Sequence, residues 1–306
     1  MMFRFIARRL LLMPLSILIV MLVVFVVLRI TGDPVEIYLG IEGTPEQEAV
    51  LIEKLHLDEP LPMQFMIFLS DAVQGDFGES LQYGEPAMKI VVSRLWPTIQ
   101  LLVMGLSVAV VGGVLLGITC AVWKDRLSDF LISSFAIAGQ SMPSFWLGIL
   151  LIQFFALDMK LLPTSGIGDF SHLILPSITL SMFLMPNFIM ITRTSFLEIV
   201  NEQFVVTARS KGVSKKGILF IHVLPNAINP VVSFLGLQVG RLFGGSIITE
   251  TIFAWPGVGR LMIGSIFQRD VPIVIAAVFI VCVTIIVSNL IVDIVQSMID
   301  PRIRLE

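Results

Sequence analysis

The chain has 306 residues, of which 56% are hydrophobic and only 14% are charged, and its mean hydropathy is +0.94. This composition excludes a water-soluble globular domain, because too few polar residues are available to cover a core. The formal net charge of −3 decides little, since in a membrane protein the side on which each basic residue falls matters more than the sum. We therefore expect an all-α polytopic membrane protein.

Spanning segments are the first elements that the sequence predicts. A hydrocarbon core of about 30 Å requires roughly 20 apolar residues per helix. Six stretches of that size occur, and the fifth is interrupted by a single charge, Arg241. We therefore predict six transmembrane helices. In chain order the stretches are 10–28, 98–122, 130–157, 171–192, 228–248 and 271–292.

The distribution of charge predicts that both termini are cytoplasmic. With the N-terminus inside, the inner segments hold 12 of the 20 basic residues, whereas the outer segment 31–96 holds 12 of the 23 acids. Basic residues concentrate on the cytoplasmic side of membrane proteins. The first stretch could instead be a signal peptide, but it is long and no A-x-A-like cleavage site follows it. We expect it to remain as an uncleaved helix.

The regions expected from these assignments are a transmembrane helix at 1–30, an external loop region at 31–97, a five-helix core at 98–298 and a cytoplasmic tail at 299–306. In the external region, 44–54 is acidic and has the apolar rhythm of a helix. The core has two long connections, 193–225 on the predicted cytoplasmic side and 249–272 outside. These two connections are the candidate functional segments.

Missing motifs exclude several enzyme classes. No Gly-Lys dipeptide occurs, so the chain has no P-loop for a nucleotide. The three histidines are scattered and form neither an H-E-x-x-H pair nor a zinc-binding cluster. Cys120 and Cys282 lie inside predicted spans at no metal-ligand spacing, and we interpret them as small apolar side chains. We expect no catalytic residue, metal site or cofactor on this chain.

The connection 193–225 has the pattern of a docking element. Residues 204–211 are predicted to form a short helix that Gly212 ends, with a basic turn after it. An alternative interpretation is a positive-inside anchor whose basic residues lie near lipid headgroups.

A family resemblance separates these two interpretations. The connection resembles the EAA loop of binding-protein-dependent ABC importer permeases, whose pattern is Glu-Ala-Ala, three residues, Gly, nine residues and Ile-x-Leu-Pro. Ala208, Gly212, Leu224 and Pro225 fall on this pattern. The departures are Val206 and Thr207 in place of Glu-Ala and His222 in place of Ile.

Further segments extend the resemblance over the whole chain, to the B-type permease subunits of the dipeptide, oligopeptide, glutathione and nickel importers. An Ala-Arg-x-Lys-Gly form of the loop is usual in that branch. The segments are Gly32-Asp33-Pro34, 57–61 with Gln64, 75–80, 141–146, 253–260, 269–270, 289–293 and 300–302.

The resemblance implies a type I ABC importer permease fold in a bacterial inner membrane. It implies a homologous second permease subunit, two cytoplasmic ATPase subunits that bind ATP and Mg, and a periplasmic substrate-binding protein. It also implies that the chain contacts membrane lipid and binds no nucleic acid. The residues it assigns to ATPase coupling are Thr207, Ala208, Arg209, Lys211, Gly212, Leu224 and Pro225.

Arg241 is the outstanding polar residue in the predicted spans. A charge at bilayer depth is costly and normally faces a cavity or a partner, so we expect Arg241 to line the pathway or an inter-subunit face. A structural salt bridge or snorkelling is the alternative. Gly236, Gly240 and Gly244 recur every four residues beside it, which predicts either ordinary helix packing or a mobile, inter-subunit face.

The external connection combines aromatic residues and glycines. Phe253, Trp255, Pro256, Gly257 and Arg260 are its candidate functional residues. They could form a re-entrant gate that touches the binding protein, as the resemblance favours, or an interfacial aromatic anchor.

Two other functional classes compete with this interpretation. An ion-coupled secondary transporter could use Arg241 and Asp293 in a relay, but it predicts inverted repeats and several intramembrane acids, which we do not find. An intramembrane enzyme would need a nucleophile or metal set that is also missing. For an importer, we expect a di- or oligopeptide as cargo first, and a nickel chelate or glutathione next.

Overall fold

The computed structural model of the protein describes residues 2–31, 35, 44–54 and 56–299. The motif segments 32–34 and 300–302, and the tail after residue 299, lie outside the described residues. Secondary structure in the described part is helical, apart from an isolated β-bridge between Glu79 and Pro86. The all-α class predicted from composition is therefore confirmed.

The helices of the described part are α1 Met2–Thr31, α2 Pro45–Lys54, α3 Leu61–Gln74, α4 Ala87–Val122, α5 Leu127–Ser141, α6 Ser144–Leu151, α7 Ser171–Ser181, α8 Met185–Val200, α9 Gln203–Ser210, α10 Asn229–Ile252, α11 Val258–Phe267 and α12 Val271–Ile299. Helix α6 continues as a π-helix over Ile152–Asp158. A helical run precedes α10, formed by Lys215–Gly217, Ile218–Val223 and Leu224–Ala227.

Most predicted spans coincide with long apolar helices. Ala87–Val122, Ile218–Gly236 and Val271–Val292 are each long and apolar enough to cross a bilayer alone. The fifth predicted span, 228–248, nearly coincides with α10, but the apolar stretch found there is displaced toward the N-terminus and begins at Ile218. Two bent pairs, α5 with α6 and α7 with α8, bring the number to five. The apolar part of α1, Leu12–Val27, is a shorter helix at the first predicted span.

The third predicted span differs from one continuous helix. Its two halves, Leu127–Ser141 and Ser144–Asp158, are bent by 110° relative to each other. The break falls at Met142, whose backbone is extended with φ −83° and ψ 131°. A residue before proline avoids the helical region, and Pro143 has no N–H to donate. The fourth predicted span is also bent, by 59°, between α7 and α8.

The chain forms two compact units. The first is built mainly from Pro97–Arg260 and the second from Phe3–Trp96 with Leu261–Ile286. In the first unit, glycines allow α4 to pack closely against α8. A Cβ added at Gly113 would lie 2.4 Å from the Cβ of Phe188, and a Cβ at Gly117 would lie 2.6 Å from that of Thr192. Small residues let membrane helices approach in this way.

The second unit contains the predicted acidic helix at 44–54, which is confirmed as α2. Its N-terminus is a capping box. The Gln47 N–H donates to the Thr44 hydroxyl over 3.4 Å, and the Thr44 N–H donates to the Gln47 side chain over 3.1 Å. Asp270, at the start of α12, accepts hydrogen bonds from the Ser80 hydroxyl and the Gln82 N–H. Two separate motif segments therefore meet in this unit.

Candidate coupling and translocation sites

The coupling segment, residues 203–225, begins with α9, and a Schellman motif ends this helix. The Gly212 N–H donates to the Arg209 carbonyl over 3.0 Å, and the Val213 N–H donates to the Ala208 carbonyl over 3.2 Å. Gly212 has φ +79°, a left-handed conformation that glycine adopts without steric cost. The short helix predicted to end at Gly212 is therefore confirmed.

Helix α9 has one buried face and one exposed face. Val205 is fully buried in an apolar cluster of the first unit, and Ala208 is 8% exposed. The other buried members of that cluster are Ala121, Phe196, Ile218, Val223 and Ala227. Thr207, Arg209 and Lys211 are exposed. The buried face fixes α9 on the first unit, and the exposed face is not covered by other described residues.

The second half of the coupling segment is a helical turn that leads toward α10. The π-helical turn Ile218–Val223 packs against α9. Leu224 is half-buried and Pro225 is exposed, in the first turn of Leu224–Ala227, where a proline is tolerated because its N–H would be unpaired anyway. The two halves of the EAA-like pattern are thus joined through this turn.

A partly buried ion pair links α5 to α8, the helix that precedes the coupling segment. The Arg193 guanidinium donates to both carboxylate oxygens of Asp129, each over 2.8 Å. The Asp125 N–H donates to the same carboxylate over 3.0 Å. The sequence interpretation counted Arg193 only as a positive-inside residue, and it missed Asp129, which lies 64 positions away. A lone acid at the start of an apolar stretch was the available signal.

The Trp255 loop, residues 253–260, is held against neighbouring parts of the first unit. Phe253 is 1% exposed and Trp255 is 2% exposed. The Trp255 indole N–H donates to the Pro97 carbonyl over 2.8 Å, and the Gly166 N–H donates to the Phe253 carbonyl over 2.8 Å. Both aromatic rings therefore pack inside the protein. Pro256 is half-buried, Gly257 is buried and Arg260 is exposed.

Glu250 anchors this loop, although the sequence interpretation did not single it out. Its side chain is fully buried. Its carboxyl group accepts hydrogen bonds from the Thr98 hydroxyl over 2.7 Å and from the Arg260 N–H over 3.0 Å. Thr98 in turn accepts the Val258 N–H over 2.9 Å. The loop backbone wraps the carboxyl group so closely that a Cβ at Gly257 would lie 2.3 Å from the Glu250 Cδ.

Arg241 lies in a polar cavity of the first unit, about 220 Å³ in volume. The side chain is exposed, and the cavity borders both helix breaks, at Met142 and at Met182–Leu184. The lining residues are Gly139, Gln140, Met142, Ser144, Leu147, Thr179, Met182, Phe183, Leu184, Asn187, Gln238 and Arg241. A second cavity of about 460 Å³ shares Arg241 and also contains Gly244.

The three glycines predicted to form one face are unequally covered. Gly236 is buried, Gly240 is half-buried and Gly244 is exposed. A Cβ at Gly244 would meet no atom within 4 Å. The C-terminal part of this face is therefore open within the chain, next to Arg241. The side chain of Asp293, named in the relay alternative, lies outside the described residues.

These features define the chain as a membrane-embedded helical transport subunit. Residues 113–305 match the family described as "Binding-protein-dependent transport system inner membrane component", and residues 2–102 match "Binding-prot-dependent transport system membrane comp, N-term". The chain belongs to this family. It is the permease subunit of an ABC importer and a multi-pass protein of the bacterial inner membrane.

Full-length relatives support the same assignment. The chain is 39% identical over 304 residues to "Glutathione transport system permease protein GsiC" of Salmonella typhimurium (strain LT2). It is 40% identical over 304 residues to the protein of the same name in Escherichia coli (strain K12). Each alignment covers 99% of this chain and 99% of the relative. Membership of this family favours the ABC importer interpretation over the ion-coupled secondary transporter that the sequence analysis also considered.

Solved structures show the same fold. A permease chain of the MetNI methionine ABC transporter, described as inward facing, aligns with a TM-score of 0.57 and 18% identity, over 70% of this chain and 97% of that chain. A chain of an amino acid ABC transporter with histidines aligns with a TM-score of 0.52 and 18% identity, over 70% and 94%. The predicted type I importer permease fold is therefore confirmed.

Proposed function

We propose that this chain and a homologous second permease subunit together enclose the import pathway. Two cytoplasmic ATPase subunits would dock on the two coupling segments, and a periplasmic binding protein would deliver the cargo. ATP and Mg would bind the partner subunits, so that this chain carries no cofactor and performs no bond chemistry. The open surface at Arg241 and Gly244 supports a second subunit, because this chain leaves one side of the pathway uncovered.

The single observation that carries the ATPase-coupling role is the two-faced geometry of α9. Val205 and Ala208 fix the helix on the first unit, while Thr207, Arg209 and Lys211 are open to a partner. A helix held on one side can transmit a displacement from a subunit bound on the other. ATP-driven closure of the ATPases would then favour the state of the permease that has better contacts with them.

The Trp255 loop is the proposed external gate. Its attachment to Pro97 of α4 and to Gly166 in the connection before α7 supports this role, because the loop then moves with both segments. Arg260 supplies an exposed positive charge on the loop, and its guanidinium donates to the Ala254 carbonyl over 2.6 Å. The exposed part of the loop is the surface that we assign to the binding protein.

The proposed cargo is a short peptide, with glutathione as the first compound to test. The named relatives are glutathione permeases that match the whole chain, and glutathione is itself a tripeptide. This ranking refines the sequence-based expectation, which placed other peptides before glutathione and nickel chelates.

Substitution at Gly212 tests the coupling role. Glu at this position introduces a bulky acid on the outer side of the docking element, whereas Asn tolerates the left-handed conformation and adds no charge. A Cβ added at Gly212 would meet no other atom within 4 Å. In vesicles containing the complete complex, Gly212→Glu is expected to lower uptake per ATP hydrolysed at least about tenfold, while Gly212→Asn stays near wild type. Normal coupling in Gly212→Glu would refute the docking role.

A further inference from the structure

The cavity at Arg241 is built around two interrupted helices. Met142 in the first break and Met182–Leu184 in the second both line it. Irregular backbone at membrane depth is tolerated where it is buried in protein or lines a cavity. In transporters, broken helices of this kind place their ends at a ligand. The position of both breaks makes the cavity a candidate binding site.

The charge of Arg241 is uncompensated within the part of the chain that the structure describes. Its guanidinium forms no ion pair or hydrogen bond with the described residues. The cavity lining contains no Asp or Glu among these residues. Within a predicted membrane span, a cation without a partner is costly. An anion that enters the cavity would remove that cost.

Uncommitted amide groups lie beside this charge. Gln238 is 2% exposed and lines the cavity, yet its side chain has no hydrogen bond to any described residue. The Gln140 amide donates to the Asn187 side chain over 3.3 Å, so only part of the polar lining is satisfied internally.

Two helix N-termini add further positive potential. Ser144 begins α6, and Leu184 precedes the first residue of α8, and both line the cavity. The helix dipole makes this end favourable for anions. At α8 the effect comes from the dipole more than from free donors, because Pro186 has no N–H and the Asn187 N–H donates to the Leu184 carbonyl over 3.0 Å. The Arg241 cation, the Gln238 amide and the N-termini of α6 and α8 therefore all favour a negatively charged ligand.

We propose that this cavity binds a carboxylate group of the cargo during import, with Arg241 as the counter-ion and Gln238 as an additional donor. The proposal rests on the proposed function, because only a permease brings cargo into this space. Arg241 can hold a carboxylate with two parallel hydrogen bonds. The adjoining cavity of about 460 Å³ gives room for the remainder of a short peptide.

An acid of the second permease subunit offers the same chemistry, and the experiment separates the two sources. The complete complex is reconstituted in vesicles, and uptake of glutathione is compared with uptake of its diamide, in which both carboxylates are amidated. For each cargo, uptake by a permease variant is divided by uptake by wild type, both at saturating loaded binding protein. This ratio cancels the binding protein's own preference between the two cargoes. The variants are Arg241→Gln, Arg241→Lys and Gln238→Leu, with Lys124→Gln as the charge-removal control on an exposed turn outside the cavity.

Arg241→Gln is expected to lower glutathione uptake by about tenfold to a hundredfold, as for the loss of a charge-assisted hydrogen bond, and diamide uptake by less than about twofold. Arg241→Lys should recover part of the uptake, since it keeps the charge but not the planar fork. An equal fall for both cargoes, with loss of the second permease from the purified complex, would overturn the proposal in favour of a subunit contact. Unchanged uptake would also overturn it. Failure of the wild-type complex to import either cargo would instead refute the proposed function, and the inference with it, before any variant is compared.

Discussion

Replacing Glu250 by alanine is expected to release the Trp255 loop from the first unit. The substitution removes the acceptor for the Thr98 hydroxyl and for the Arg260 N–H. Leaving the buried Thr98 donor unsatisfied costs about 1–3 kcal/mol, and loss of the partly buried Arg260 N–H bond adds to this cost. Because Thr98 also holds the Val258 N–H, the loss should spread along the loop. Each 1.4 kcal/mol corresponds to about a tenfold change in an equilibrium constant.

Hydrogen exchange measures this release directly. In Glu250→Ala, amides of residues 257–260 should exchange at least about tenfold faster than in wild type, by the conversion above. Glu250→Gln should lie between the two, since its amide keeps one acceptor oxygen and turns the other into a donor. Thr251→Val is the matched control, because the exposed Thr251 hydroxyl donates to the Ile247 carbonyl of its own helix and to no other described residue. Equal protection of the loop in Glu250→Ala and wild type would show that the carboxyl group does not hold it.

Two further substitutions test packing in the first unit, each by thermal unfolding of the purified complex. Asp129→Asn should lower the free energy of unfolding by about 3 kcal/mol, at the low end for breaking a buried ion pair, because Arg193 keeps 26% of its side chain exposed. The control Asp125→Asn should have little effect, since Asp125 contacts the pair through its backbone N–H. Equal losses in the two variants would contradict this reasoning. Gly113→Ala should destabilise because its Cβ would lie 2.4 Å from that of Phe188, whereas Gly264→Ala, in open space on α11, should stabilise by up to about 1 kcal/mol through helix propensity. A stabilising Gly113→Ala would show that α4 and α8 separate freely.

Local rules were sufficient for part of this structure. The end of α9 at Gly212 follows from the conformational freedom of one glycine next to a short amphipathic helix. The acidic helix α2 follows from its apolar rhythm, and its start has the capping residues Thr44 and Gln47. The unbroken spans at 98–122 and 271–292 follow from hydropathy alone, because lipid imposes the same requirement on every crossing helix.

The remaining features depend on pairs that are distant in the sequence. Thr98 and Glu250 are 152 positions apart, so no local pattern links the end of one span to the end of another. From the sequence, Arg193 was interpreted as one of the basic residues that mark the cytoplasmic side, as many exposed basic residues do. Its buried partner Asp129 is identified only by the fold. Pro143 was a visible break signal, but a proline in a membrane helix does not fix the size of the bend. The 110° angle between the two halves is seen only in the fold.

Helix α10 connects the three proposed functional features within the first unit. Its 24 residues span about 36 Å at 1.5 Å per residue, and its only proline lies in the first turn, so its interior ladder is unbroken. The helical run from Lys215 joins its N-terminal end to the coupling segment. Arg241 and Glu250 are nine residues apart, which at 3.6 residues per turn places them about 180° apart around the axis. One face therefore presents the guanidinium to the cavity while the opposite face holds Thr98 and the Trp255 loop. On the proposed function, a displacement that reaches α10 from a docked ATPase would move the cargo site and the external gate together, because a continuous helix transmits it to both.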